Sequence, residues 1–242
     1  SGRGFKTSEN IKNVPMVPAA ILFDLSNGGN KDWGDTPPYN KLGIEATSNA
    51  SIKFKLGNIG AGYGAKAGSL KGGLGSASFE NAEGLKVGGL FAVNSFGSVV
   101  NSETGQFWAA SDELNNEFGG MGAPQNLPED ILAGSSIDHA LEKSNTTIGI
   151  VATNAKLDSK TAKRIAIMSH TGMARAIRPI HTPVDGDVIF VVSTNTFDKE
   201  LNYREINEIG ELGARVCSRS ISRAIYEAEK LYEMQSWKDK YT

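Results

Sequence analysis

Asn145-Thr146 stands just upstream of a short apolar run, Ile148 to Ala152. A small amide residue followed by a hydroxyl residue, at the entry to a buried strand and after a long polar stretch, suits a backbone that cuts itself. Attack of the Thr146 hydroxyl on the Asn145 carbonyl would free a threonine amine at the strand tip. That amine could serve as base for its own hydroxyl, because a terminal amine has an unperturbed pKa near 7.7–8.0 and sits on the same residue. Taken alone, Asn145-Thr146-Thr147 reads more readily as a strand entry with hydroxyls facing solvent. Asn94 is a second candidate: an asparagine at a strand end can donate its side-chain N–H to a developing oxyanion. His181, Asp185 and Asp187 could suggest a metal site, but two carboxylates and a histidine on one loop are thin support. No metal or other cofactor is expected.

These residues need elements to hold them. Ile148 to Ala152 is branched, short and bounded by polar residues, which reads as a buried strand. Upstream, Leu74–Glu80 and Leu85–Val93 read as paired strands around the turn at Asn81–Gly84. Asp158 can cap a helix running to about Ile177, with Ile165, Ser169, Met173 and Ala176 on one stripe. Val188 to Ser193 reads as a further strand. A long helix follows from about Asn202 to Tyr232, its start marked by Asn202 and Glu205 in a capping-box pattern. The first part is less regular. Ile21-Leu22-Phe23 reads as a short strand within an extended Val14–Leu25, and Ala46–Ile52 as a short helix. Ser26–Asn30 reads as turn chemistry. Residues 101–144 read as a mobile, polar lead-in to the cut site, with helical turns at Ser111–Phe118 and Pro128–Leu132 and an exposed His139. By residue pattern alone the fold is α/β or α+β.

Eight glycines fall between Gly57 and Gly75. Gly60, Gly62 and Gly64 invite a phosphate-loop reading, but the glycines continue to Gly75, so no helix N-terminus follows to hold a phosphate. The composition sets further bounds. A chain of 242 residues with 39% hydrophobic content supports one large domain. A net charge of −2 with scattered basic residues argues against a nucleic-acid partner, and no apolar run is long enough to imply a membrane. The single cysteine, Cys217, fits a reducing, cytoplasmic compartment and falls in an apolar helical stripe, where packing outweighs reactivity.

Four separated segments carry a resemblance: Val14–Leu25, Gly57–Gly75, Val87–Gly97 and Asn145–Ala155. In this order they resemble the DmpA-type aminopeptidase/amidase family (peptidase family S58), especially its threonine branch with the nylon-oligomer hydrolases. The resemblance implies a four-layer αββα sandwich of the N-terminal-nucleophile-hydrolase type, shared with ornithine acetyltransferases. It implies self-cleavage between Asn145 and Thr146, giving an α-chain portion 1–145 and a β-chain portion 146–242. The whole is then a single domain that lacks an expected N-terminal part. By the same resemblance Thr146 is the nucleophile, Asn94 the oxyanion donor, and Lys66 a nearby assisting cation. Asp185 and Asp187 orient the amine and hydroxyl, and Phe23 stands where some relatives carry a tyrosine. The expected substrates are linear amides: nylon (6-aminohexanoate) oligomers first, then short peptides or amino-acid amides. An ornithine-acetyltransferase-like acyl transfer is a further alternative. Relatives assemble from processed α/β pairs, so a homo-oligomer is expected.

Overall fold

The computed structural model describes residues 4–136 and 145–242. The elements are helix α1 (Tyr39–Ser48), strands β1 (Lys66–Ala67), β2 (Leu70–Lys71), β3 (Gly73–Glu80), β4 (Lys86–Asn94) and β5 (Thr146–Ala155), helix α2 (Ser159–Ala176), strand β6 (Val188–Phe197), and helices α3 (Tyr203–Tyr226) and α4 (Trp237–Tyr241). Strands β3 to β6 form one sheet in chain order. β4 pairs antiparallel with both β3 and β5, and β5 pairs with β6 in parallel through the α2 crossover. His139, expected to be exposed, lies outside the described residues.

One face of this sheet carries the core. Ile209, Val216, Cys217, Ile221 and Ile225 of α3 and Ile165 and Met173 of α2 are all fully buried there, against Val87, Phe91 and Val151 of the strands. Both helices start where the residue pattern placed them. Asp158 accepts the Thr161 N–H, and Asn202 and Glu205 form the reciprocal capping box. Cys217 is sealed in this layer, and burial, ahead of the nearby Asp187 charge, pushes its thiol well above the ordinary range. The opposite face is apolar yet half-open: Ile150 is 40% and Val192 45% exposed, with Leu90, Ile148 and Phe190 partly exposed beside them. Among the described residues this helix layer and four-stranded sheet are accompanied by the small two-stranded sheet of β1 and β2.

Several expectations shift in the structure. Ile21-Leu22-Phe23 is not a strand, because no neighbouring strand among the described residues pairs with it, and Ile21 is largely exposed. The first helix runs Tyr39–Ser48 rather than Ala46–Ile52: Pro37-Pro38 start it early and Asn49 ends it. Strand β6 runs on past Ser193 to Phe197, which pairs with Ala155 beyond a bulge. Helix α3 stops at Tyr226 instead of Tyr232 because the Asn58 side chain takes both the N–H and the C=O of Glu229.

The stretch from 101 to 136 is no mobile lead-in. Phe107 and Phe118 are core residues, edge-to-face at 5.2 Å, and Trp237 of α4 packs on Phe107 while its Nε1 donates to the Gly105 carbonyl. A largely buried ion pair, Arg219 with Glu117, ties the same stretch to α3, and Arg219 also donates to the Ser78 carbonyl of β3. Aromatic anchors and a paired charge outweigh the polar composition that suggested a loose loop.

Gly149 of β5 sits directly opposite Phe91 of β4. A Cβ there would come within 2.0 Å of the Phe91 ring. Gly149→Ala should therefore lower stability by about 1–3 kcal/mol through overpacking, read from the urea midpoint. The loss should shrink in a Phe91→Leu background; an undiminished loss would mean the ring is not its cause.

Candidate active site

The sheet register brings the expected residues to one end. Thr146 opens β5 and its Cα partner on β4 is Asn94. On the other side, Asn145 bridges Asp185 in parallel, just ahead of β6. Thr146, Asn145 and Asn94 are buried, with 8%, 6% and 1% of their surface exposed. The chain is continuous at Asn145–Thr146, and its groups are already in close contact. The Thr146 hydroxyl donates to the Asn145 carbonyl at 2.6 Å. The Gly186 N–H donates to the same oxygen at 2.9 Å. Asn145 Nδ2 and Thr147 Oγ1, either side of Thr146, are buried without a hydrogen-bond partner. Unpaired buried polar groups cost about 1–3 kcal/mol each, so the polypeptide is under-satisfied at this spot.

The two aspartates brace backbone rather than touching the hydroxyl in this continuous chain. Asp187 Oδ1 accepts the Thr147 N–H at 2.8 Å. Asp185 Oδ1 accepts the Phe96 N–H at 3.2 Å, and its Oδ2 accepts both the N–H and the hydroxyl of Thr182. Asp187 continues outward: its Oδ2 bonds His181 Nδ1 at 2.9 Å, and His181 Nε2 meets His170 Nδ1 at 3.3 Å. Burial raises the Asp187 pKa, and the Asp185 charge adds to that, against the Thr147 N–H and the His181 ring. Burial, and after it the neighbouring His181 charge, lowers the His170 pKa. The trio His181, Asp185 and Asp187 is thus split between two separate hydrogen-bond sets, and no group of three metal-ligating side chains occurs among the described residues.

Asn94 is held on both ends. Its Oδ1 accepts the Lys66 backbone N–H at 2.9 Å and the Asn27 side-chain amide at 3.0 Å, and its Nδ2 donates to the Phe23 carbonyl at 2.9 Å. Lys66 therefore joins the cluster through its main chain, and Phe23 through its carbonyl. Asn27 escaped the residue pattern because Ser26-Asn-Gly-Gly-Asn30 looks like plain turn chemistry. Gly186 escaped it because a backbone N–H leaves no mark on composition. Two hollows, one lined by Phe197, Leu201 and Glu205 and the other by Phe79, Ala152 and Thr194, lie at the opposite end of the sheet and do not include Thr146.

A buried cation underlies the glycine-rich segment. Lys71 is fully enclosed, and its Nζ donates to the carbonyls of Gly62 and Gly72 at 2.9 and 2.7 Å. Burial lowers its pKa to about 8, opposed by the Asp24 charge. A lysine unfolded at its ordinary value near 10.5 and folded at about 8 costs stability while charged in the fold. The folded chain sheds that proton first, so stability rises with pH between those two values. Wild type should gain about 2 kcal/mol relative to Lys71→Met between pH 7.5 and pH 10, compared by urea unfolding. A constant difference would show that the ammonium is not desolvated.

Comparison with known proteins adds four findings. The sequence profile of peptidase family S58 matches residues 4–238. A Mycobacterium tuberculosis protein named an uncharacterized aminopeptidase is 42% identical over 185 residues, 75% of this chain and 51% of that protein. The 6-aminohexanoate-oligomer endohydrolase of Paenarthrobacter ureafaciens is 25% identical over 196 residues, 76% of this chain and 52% of its own. Among solved structures, the L-aminopeptidase D-Ala-esterase/amidase of Ochrobactrum anthropi, described as a variant of the Ntn hydrolase fold, superimposes with a TM-score of 0.51 at 21% identity, over 79% of this chain and 50% of that one. The fold is therefore of the Ntn hydrolase type, and the chain spans about half the length of the curated relatives it matches. No helix among the described residues is long and apolar enough to cross a membrane.

Proposed function

The chain belongs to peptidase family S58, and on that premise we propose that it is part of an autoprocessing N-terminal-threonine hydrolase of linear amides. In the first stage Thr146 Oγ attacks the Asn145 carbonyl carbon. The C–N bond breaks, the hydroxyl proton ends on the Thr146 nitrogen, and an ester links the two residues. Water then cleaves the ester, leaving an Asn145 carboxylate, a restored hydroxyl and a free Thr146 amine. In the second stage that amine is the base, Thr146 Oγ attacks a substrate amide, and Asn94 donates to the oxyanion. Asp185 and Asp187 orient the amine and hydroxyl, and Lys66 assists through its charge. The observation that carries this reading is the Thr146 hydroxyl lying 2.6 Å from the carbonyl oxygen of its own preceding residue, at a buried strand end opposite Asn94.

For the substrate we infer short peptides or amino-acid amides first, because the relative named an aminopeptidase is 42% identical. Nylon oligomers come second: the Asn145-Thr146 junction and the paired Asp185 and Asp187 favour them, and the relative named a 6-aminohexanoate-oligomer endohydrolase is only 25% identical. The processed pairs are proposed to assemble as a homo-oligomer.

Intact mass spectrometry of the full chain should give two fragments meeting at Asn145/Thr146, and Thr146→Ala a single uncut chain without amidase activity. Two fragments from that variant would remove Thr146 from the chemistry. Release of amine from amino-acyl anilides, with none from 6-aminohexanoate oligomer, is the expected substrate profile; the reverse profile selects the oligomer.

A further inference from the structure

We propose that the backbone N–H of Gly186 is the oxyanion donor for the self-scission step, which makes Gly186 a catalytic residue of maturation. The inference rests on the self-cleaving reading above. Its basis is that the bond to be cut already has its electrophile engaged. The Asn145 carbonyl oxygen accepts the Gly186 N–H at 2.9 Å and the Thr146 hydroxyl at 2.6 Å. As Thr146 Oγ bonds to the carbonyl carbon, negative charge moves onto that oxygen. A fixed donor at this distance in a buried site stabilises such charge without having to reorganise. The donor and the nucleophile share one acceptor, so each is placed relative to the other before reaction.

Two further features fit this role. First, the position must be glycine for the hydroxyl to lie where it does: a Cβ on residue 186 would stand 2.9 Å from Thr146 Oγ1. Second, the flanking residues brace the peptide that carries the N–H. Asp185 is fastened to Phe96 and Thr182, and Asp187 to the Thr147 N–H and His181. The two carboxylates therefore hold Gly186 against the Asn145 carbonyl from both sides, which gives them a positioning role before any amine exists. The Gly186–Asn145 bond also continues the parallel β5–β6 register one step beyond the strands. A bond that served only as a ladder rung would matter for stability and not for the rate of cutting.

The test replaces that single N–H by oxygen. The full chain is made with glycolic acid at position 186, which turns the peptide into an ester, and the appearance of two fragments is timed by intact mass. A control chain carries phenyllactic acid at Phe190, which is paired with Ile150 further along the same ladder. Circular dichroism and urea melts establish that each chain is folded. We expect the 186 ester to slow scission about 100-fold or more, while the 190 ester cuts at the wild-type rate. Scission of the 186 ester at the wild-type rate, or equal slowing in both esters, overturns the proposal. Failure of the parent reading looks different: wild type would stay whole, or Thr146→Ala would still be cut.

Discussion

The ring of Phe91 lying over Gly149 fixes where β5 can sit between its neighbours. Only a residue without a side chain fits beneath that ring. A slip of one position would bring Ile148 or Ile150 there and turn every side chain of the strand to the other face. With the register pinned, Thr146 falls opposite Asn94 and Asn145 falls beside Asp185. The meeting of nucleophile, amide and carboxylates at one sheet end is thus a consequence of a packing constraint three residues inside the strand.

Around that end the chain spends its polar groups on holding backbone. Asp187 and Asp185 brace the Thr147 and Phe96 N–H groups, Asn94 binds the Lys66 N–H and the Phe23 carbonyl, and Lys71 binds the Gly62 and Gly72 carbonyls. Side chains that clamp main chain give a rigid frame, because the groups they fix have few torsions left. Within this frame the Asn145 side-chain nitrogen and the Thr147 hydroxyl stay unpaired. A well-braced surround thus leaves its unmet hydrogen bonds on either side of the one peptide bond that is proposed to break.

Much of this was legible in the residues, and what was not has physical causes. Period and capping placed β3, β4, β5, α2 and the start of α3, since their apolar stripes and the Asp158 and Asn202 caps are local signals. The apolar stretch at Ile21-Leu22-Phe23 misled because a strand needs a partner, and composition records no partners. Residues 101–136 misled in the other direction: Phe107 and Phe118, spaced without period, outweigh the surrounding Gly, Asn and Asp. At the site, Thr146, Asn94, Asp185 and Asp187 stood out by type and by resemblance. Asn27, which reaches Asn94 from 67 residues away, and Gly186, which contributes only its main chain, carried no local signal.

The sealed thiol of Cys217 has a practical corollary. It lies between both long helices and the sheet with no exposed surface, and its proton is held tightly. Thiolate, not thiol, reacts with alkylating and disulfide reagents, so modification must wait until the two helices part from the strands. With one such group in the sequence, labelling kinetics become a clock for opening of the core, with no second thiol to blur the reading.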